Sequence, residues 1–202
     1  MNQNFFDMEV QGLLEQLDET DKKPMEMYMR MIGNPNKVKE FCQIFFRSVE
    51  ENGSQFTICM KTIEKTRRKE FFPVLMEAVQ EAVKPIQVQS IFKSCNALPD
   101  DMAIVKSFMK PIVEAMQNNM DTEVFYHGVC LMYRIVSKFP EIEEDLKSMQ
   151  IYVSHEEIQN ISRKFDILDK WETANHRGKN KPGYFMNEND FLEFALKFIK
   201  IR

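Results

Sequence analysis

Hydrophobic residues recur at spacings of three and four along almost the whole chain, which is the period of an amphipathic helix. The first stripe predicts a helix over residues 4–18. Its members are Phe6, Val10, Leu13, Leu14 and Leu17. The next stretch, Pro24 to Ile32, predicts a short helix with Pro24 in its first turn, where the missing N–H is not needed.

Prolines, glycines and capping residues divide the remaining chain into further helices. Pro73 is expected in the first turn of one helix, and Pro85 at the start of the next, because an interior proline removes a hydrogen bond. Asp121 is placed to cap a strongly apolar helix. Ser154 with Glu157 three residues later forms a capping box that opens a long helix. A last helix is predicted from its apolar positions, Phe191, Leu192, Ala195, Phe198 and Ile199.

This pattern predicts an all-α protein of about ten helices, with short connections and no strands. The only loop-like stretch of any length is residues 175–186. Short connections make neighbouring helices pack on each other. We therefore expect an α-solenoid or irregular helical array, HEAT-like in character, in which successive helix pairs stack.

Composition narrows the cellular setting. The four cysteines are embedded in apolar stretches and none forms a CxxC pair, so buried, reduced thiols are expected. Asp7 and Glu9 interrupt the first apolar residues, which argues against a secretion signal. No uncharged run is long enough to cross a bilayer. Reduced thiols are typical of a cytosolic or nuclear protein, and a cytoplasmic protein without a membrane partner is the expectation.

Charge is unevenly distributed along the chain. The formal net charge of −4 argues against a general nucleic-acid binder. Residues 170–202, however, carry seven bases and four acids. Two basic groups stand out as candidate contacts for an acidic protein surface, although isolated charge runs of this kind more often form a solvated surface than a binding site. They are Arg177, Lys179 and Lys181 in the loop, and Arg67, Arg68 and Lys69 at a helix junction.

No pattern typical of an active site is present. The three histidines, His127, His155 and His176, do not pair with cysteines or carboxylates at metal-ligand spacing. No glycine-rich phosphate loop occurs. The acidic run 141–145 lacks the glycine of a calcium loop and is explained by a helix N-terminus. We therefore expect no enzyme activity, no cofactor and no metal.

From about residue 54 to the C-terminus, the order of features resembles the conserved C-terminal helical domain of the katanin regulatory (B) subunit. Six short segments carry this resemblance in register: Asn96-Ala97-Leu98-Pro99, the mid-helix Pro111 within 110–114, 137–140 ending in Pro140, Ile142 to Leu146, 153–157, and Asp190-Phe191-Leu192. Residues 54–202 would form that domain. Residues 1–53 lie outside the resemblance and are expected to pack on it.

The resemblance implies a non-catalytic subunit, in a heterodimer, that binds the N-terminal helical domain of the katanin AAA ATPase. It also implies help in targeting that ATPase to microtubules for severing, at the cytoskeleton, spindle or spindle poles. The family includes short forms of this subunit that lack a β-propeller and serve meiotic spindles, so the resemblance also implies that role. Tubulin's acidic surface would suit the two basic groups, whereas no residues are assigned to the ATPase interface. The alternative is a HEAT- or MIF4G-like scaffold, for example in RNA metabolism, and an unfamiliar enzyme is third.

Overall fold

The secondary structure is almost entirely helical. The computed structural model describes residues 19–51, 53–82, 84–98, 101–119, 121–172 and 188–201. Within these ranges the chain forms ten helices and two short strands. In chain order they are α1 Glu19–Gly33, α2 Val38–Glu51, α3 Ser54–Thr66, α4 Phe71–Glu81, α5 Pro85–Ala97, α6 Met102–Asn118, α7 Thr122–Lys138, α8 Ile142–Ser148, β1 Ile151–Val153, α9 His155–Glu172, α10 Glu188–Ala195 and β2 Ile199–Ile201.

The helices pack as two stacked rows. Helices α1, α3, α5, α7 and α9 contact one another in succession and form one row. Helices α2, α4 and α6 form the other. Across the rows, α2 packs on α3, α4 on α5 and α6 on α7, so successive helices pair as in an α-solenoid. The predicted all-α helical array is confirmed.

The centre of the array is α7. Every residue from Val124 to Met132 is buried, because α5, α6, α8 and α9 all pack against this helix. A helix that is apolar on all sides is stable only in such a position. Gln89 on α5 also donates a hydrogen bond to Glu123 on α7, which ties two helices of the same row together.

Capping residues set the helix starts as predicted. The Asp121 carboxylate accepts from the N–H groups of Glu123 and Val124, at 2.8 and 3.4 Å. Ser154 and Glu157 form the complete capping box: the Glu157 N–H donates to Ser154 Oγ at 3.2 Å, and the Ser154 N–H donates to Glu157 Oε2 at 2.6 Å. Pro73 is the third residue of α4 and Pro85 the first of α5, so both early-turn predictions are confirmed.

Three sequence predictions are wrong. Strands exist: β1 and β2 pair in parallel, with Ile151 opposite Ile199. A three-residue strand is too short to show a period of two in the sequence. For the same reason the sequence places Phe198 and Ile199 in the last helix, which instead ends at Ala195. Pro24 is not in a first turn, because α1 already begins at Glu19. The predicted helix over residues 4–18 lies outside the described residues.

The cysteines are all free thiols, as predicted. Cys59, Cys95 and Cys130 are buried, and Cys42 is half-buried. In the part of the chain described above, no helix is both long and apolar enough to cross a bilayer.

Candidate protein-binding surface

The basic run at the α3–α4 junction begins in a left-handed turn. Arg67 ends α3 with φ 47° and ψ 39°, and its N–H donates to the Ile63 carbonyl at 3.2 Å. Glycine usually fills this position, because a side chain is disfavoured at positive φ. The Arg67 side chain is exposed, and the two residues that follow the turn contact different neighbouring helices.

Arg68 and Lys69 each bind a different part of the array. Arg68 Nη1 donates to the Ile32 carbonyl at 2.9 Å, so this base satisfies a carbonyl in the last turn of α1. Lys69 Nζ donates to Asp101 Oδ2 at 2.8 Å, at the N-terminus of α6. That hydrogen bond raises the pKa of Lys69 and lowers the pKa of Asp101. Arg68 is therefore half-buried and structural, whereas Lys69 lies at the surface beside α6.

Asp101 also borders an open depression of about 720 Å³. Met102, Ala103 and Phe139 supply its apolar lining. The full lining is Asp101, Met102, Ala103, Lys106, Ser107, Lys138 and Phe139. We call this surface the basic-rimmed depression, and we include Lys69 in it because Lys69 pairs with Asp101 of its lining. Its lysines come from three parts of the chain: the α3–α4 junction, α6 and α7.

Two lysines of the basic-rimmed depression form ion pairs at the protein surface. Lys69 pairs with Asp101, and Lys106 Nζ lies 2.9 Å from Asp145 Oδ2. Lys138 Nζ lies 5.6 Å from the centre of the Phe139 ring. Exposed ion pairs contribute little to stability, because water screens both charges. The ion pairs of Lys69 and Lys106 are therefore weak contacts.

The sequence predicts one of these three lysines. Lys69 belongs to a basic run, but Lys106 and Lys138 stand alone in amphipathic helices and have no local sequence signal. Only the packing of α6 against α7 brings them to one depression. The loop bases Arg177, Lys179 and Lys181 lie outside the described residues, so their assignment stays a prediction.

Two of the three histidines lie among the described residues. His127 is buried in α7, where burial above all lowers its pKa to about 3, so the ring is neutral. His155 is exposed in the first turn of α9. No group of three or more His, Cys, Asp or Glu residues within the described ranges is placed to hold a metal ion.

Comparison with known proteins assigns no family to this chain. No protein-family model, no curated protein and no solved structure matches it.

Proposed function

We propose that this chain is a non-catalytic regulatory subunit that binds the N-terminal helical domain of the katanin ATPase and helps target it to microtubules. The sequence resemblance over residues 54–202 suggests the partner. A stacked helical array suits a role in protein assembly, because it offers extended surfaces. The observation that carries the proposal is the basic-rimmed depression, whose chemistry suits an acidic, flexible peptide such as a tubulin tail.

Two properties of the depression favour such a ligand. Its apolar lining gives a peptide backbone and aliphatic side chains a surface to cover. Its three lysines attract carboxylates at short range, since the Debye length at physiological ionic strength is about 8 Å. A ligand must therefore enter the depression to feel the full charge, and binding is expected to weaken as salt rises.

Charge reversal tests this role. Lys106→Glu with Lys138→Glu should weaken co-sedimentation with microtubules several-fold at low salt and reduce its salt dependence. The matched control is Lys37→Glu with Lys39→Glu, which makes the same change of net charge on two exposed lysines at the start of α2. Equal loss in both double variants would mean that net charge alone governs binding, and the depression would lose its assigned role.

The loop bases give a second arm of the same experiment. We expect that replacing Arg177, Lys179 and Lys181 together by glutamate weakens co-sedimentation with microtubules and leaves assembly with the ATPase unchanged. If only this triple variant loses binding, the contact with microtubules belongs to the loop and the basic-rimmed depression serves another ligand. If both variants lose binding, the two basic surfaces act together.

A helical scaffold for other assemblies is the second candidate. The two-row stacking of helices favours it, because the same architecture serves many unrelated partners. Affinity capture with the whole chain separates the two candidates. Recovery of an AAA ATPase and tubulin supports the katanin role, and recovery of RNA-processing factors supports the scaffold.

The proposed subunit has no nucleotide hydrolysis of its own. Hydrolysis would belong to the ATPase partner, and the place of action would be the cytoskeleton, including the spindle. The purified chain is expected to release no phosphate from ATP above the background of a heat-denatured sample. Activity that co-purifies with the folded chain through successive columns would contradict this part of the proposal.

A further inference from the structure

The turn between α3 and α4 holds Arg67 in a backbone conformation that favours glycine. Among the described residues other than glycine, Arg67 is the only one with a positive φ. A Cβ is sterically disfavoured there, and glycine would adopt the same conformation without strain. A base near the end of a helix is favourable, but Lys65 already supplies one in the last turn of α3. The stability of the fold therefore does not explain an arginine at this position.

The two residues after Arg67 fix the turn from both sides. Arg68 donates a hydrogen bond to the Ile32 carbonyl at the end of α1, and Lys69 donates one to Asp101 at the start of α6. The Arg67 side chain is exposed and makes no hydrogen bond or ion pair with any residue in the described ranges. The turn thus presents a guanidinium to solvent on a backbone that is anchored to two other helices.

This guanidinium lies next to the basic-rimmed depression. Lys69 belongs to the depression, and two residues of chain span at most about 7 Å between their Cα atoms. The Debye length at physiological ionic strength is about 8 Å, so a carboxylate near Lys69 is attracted by both charges. Successive residues of an extended peptide are about 3.3 Å apart, so two or three residues beyond the depression reach the turn.

We propose that Arg67 extends the basic-rimmed depression and binds a carboxylate of the same acidic peptide, just outside the depression. The inference rests on the proposed binding of an acidic peptide there and not on the katanin partner. A guanidinium holds a carboxylate through two parallel N–H···O bonds, which a lysine cannot do. The ligand is therefore an extended segment whose acidic residues continue beyond the depression, and Arg67 selects such segments over shorter acidic ones.

Two fluorescein-labelled peptides test this inference by fluorescence anisotropy. Each has a central Leu-Leu pair for the apolar lining, and the long probe carries five glutamates on either side whereas the short probe carries two. In Arg67→Gly the affinity for the long probe should fall about threefold to fivefold at low salt, while the affinity for the short probe stays that of the parent. Arg67→Lys keeps the charge without the paired hydrogen bonds, so its loss should be smaller.

Thermal unfolding of the same variants gives a second readout of opposite sign. Arg67→Gly removes the left-handed strain and should raise Tm by about 2 °C, whereas Arg67→Lys keeps the strain and should leave Tm unchanged. The matched control is Arg47→Gly, the same replacement at an exposed position inside α2. It should lower Tm by about 2–4 °C, since glycine weakens a helix interior, and keep both probe affinities. Higher stability with weaker binding separates a ligand contact from damage to the fold.

The outcomes distinguish this inference from the proposed role of the depression. An undiminished affinity of Arg67→Gly for the long probe, or an equal loss for both probes, would overturn the contact at Arg67. The depression would keep its role in that case if Lys106→Glu with Lys138→Glu loses both probes. Should neither probe bind the parent chain, or should that double variant bind both probes as the parent does, the role of the depression would be refuted together with this inference.

Discussion

The buried histidine of α7 makes stability depend on pH in a calculable way. His127 is 1% exposed, and the Tyr126 ring lies 5.2 Å from it, centre to centre. Burial lowers its pKa from 6.5 to about 3, Lys93 on α5 adds to this effect, and Glu123 on α7 partly opposes it. Replacing His127 with glutamine removes the titration and keeps a polar side chain of similar size.

The sign and the size follow from linkage between protonation and folding. Below pH 6.5 the unfolded chain takes up a proton at this ring and the folded chain does not, so acid favours unfolding. The contribution is fully present above pH 6.5 and is lost progressively as pH falls toward 3. Between pH 7.5 and pH 5 the free energy of unfolding falls by about 2 kcal/mol through this group. The fall is almost the same for any His127 pKa below about 4 in the folded chain.

Urea unfolding at pH 7.5 and pH 5 measures this effect. The free energy of unfolding of the parent chain should fall by about 2 kcal/mol more than that of His127→Gln, since the other titrating groups are common to both and cancel. His155→Gln, which replaces an exposed histidine and retains His127, should behave as the parent does. Parallel losses in the parent and His127→Gln would refute the assignment of a buried, neutral His127.

Three further predictions concern packing, capping and thiol chemistry. A Cβ at Gly128 would lie 2.5 Å from Met116 Sδ, so Gly128→Ala should lower the free energy of unfolding by about 1–3 kcal/mol, measured by heat or urea. In a Met116→Ala background, where this clash is removed, the same change should raise the free energy of unfolding by up to about 1 kcal/mol. Asp121→Ala should lower the free energy of unfolding by about 1 kcal/mol and Asp121→Asn by less, because asparagine keeps the capping oxygen. Burial raises the pKa of Cys59 to about 11, so native protein at pH 8 should show almost no reaction of this thiol with Ellman's reagent until urea is added.

Local signals in the sequence were sufficient for most of the helix starts. Asp121, Ser154 with Glu157, and Pro85 act through hydrogen bonds or ring geometry within four residues of themselves, so their effect is readable without knowing the fold. The strands could not be read in this way. β1 exists because β2, nearly fifty residues later, lies beside it, and three residues carry no periodic signal.

The candidate surface, likewise, is only partly predictable from local signals in the sequence. The sequence predicts Lys69 as a candidate contact because it belongs to a basic run. Arg68 of the same run instead donates a hydrogen bond to the Ile32 carbonyl. Lys106 and Lys138 have no sequence signal, since each is one polar position on an amphipathic helix. Their proximity depends on the packing of α6 and α7, which is a tertiary property.

Titration of the chain with the N-terminal helical domain of the katanin ATPase is the most direct measurement of the proposed role. Isothermal calorimetry at concentrations up to about 100 μM would detect even weak, micromolar association. We expect a saturable one-to-one complex that survives Lys106→Glu with Lys138→Glu, because those lysines are assigned to the microtubule and not to the ATPase. The absence of any complex, with a correctly folded chain and a correctly folded ATPase domain, would contradict the katanin role.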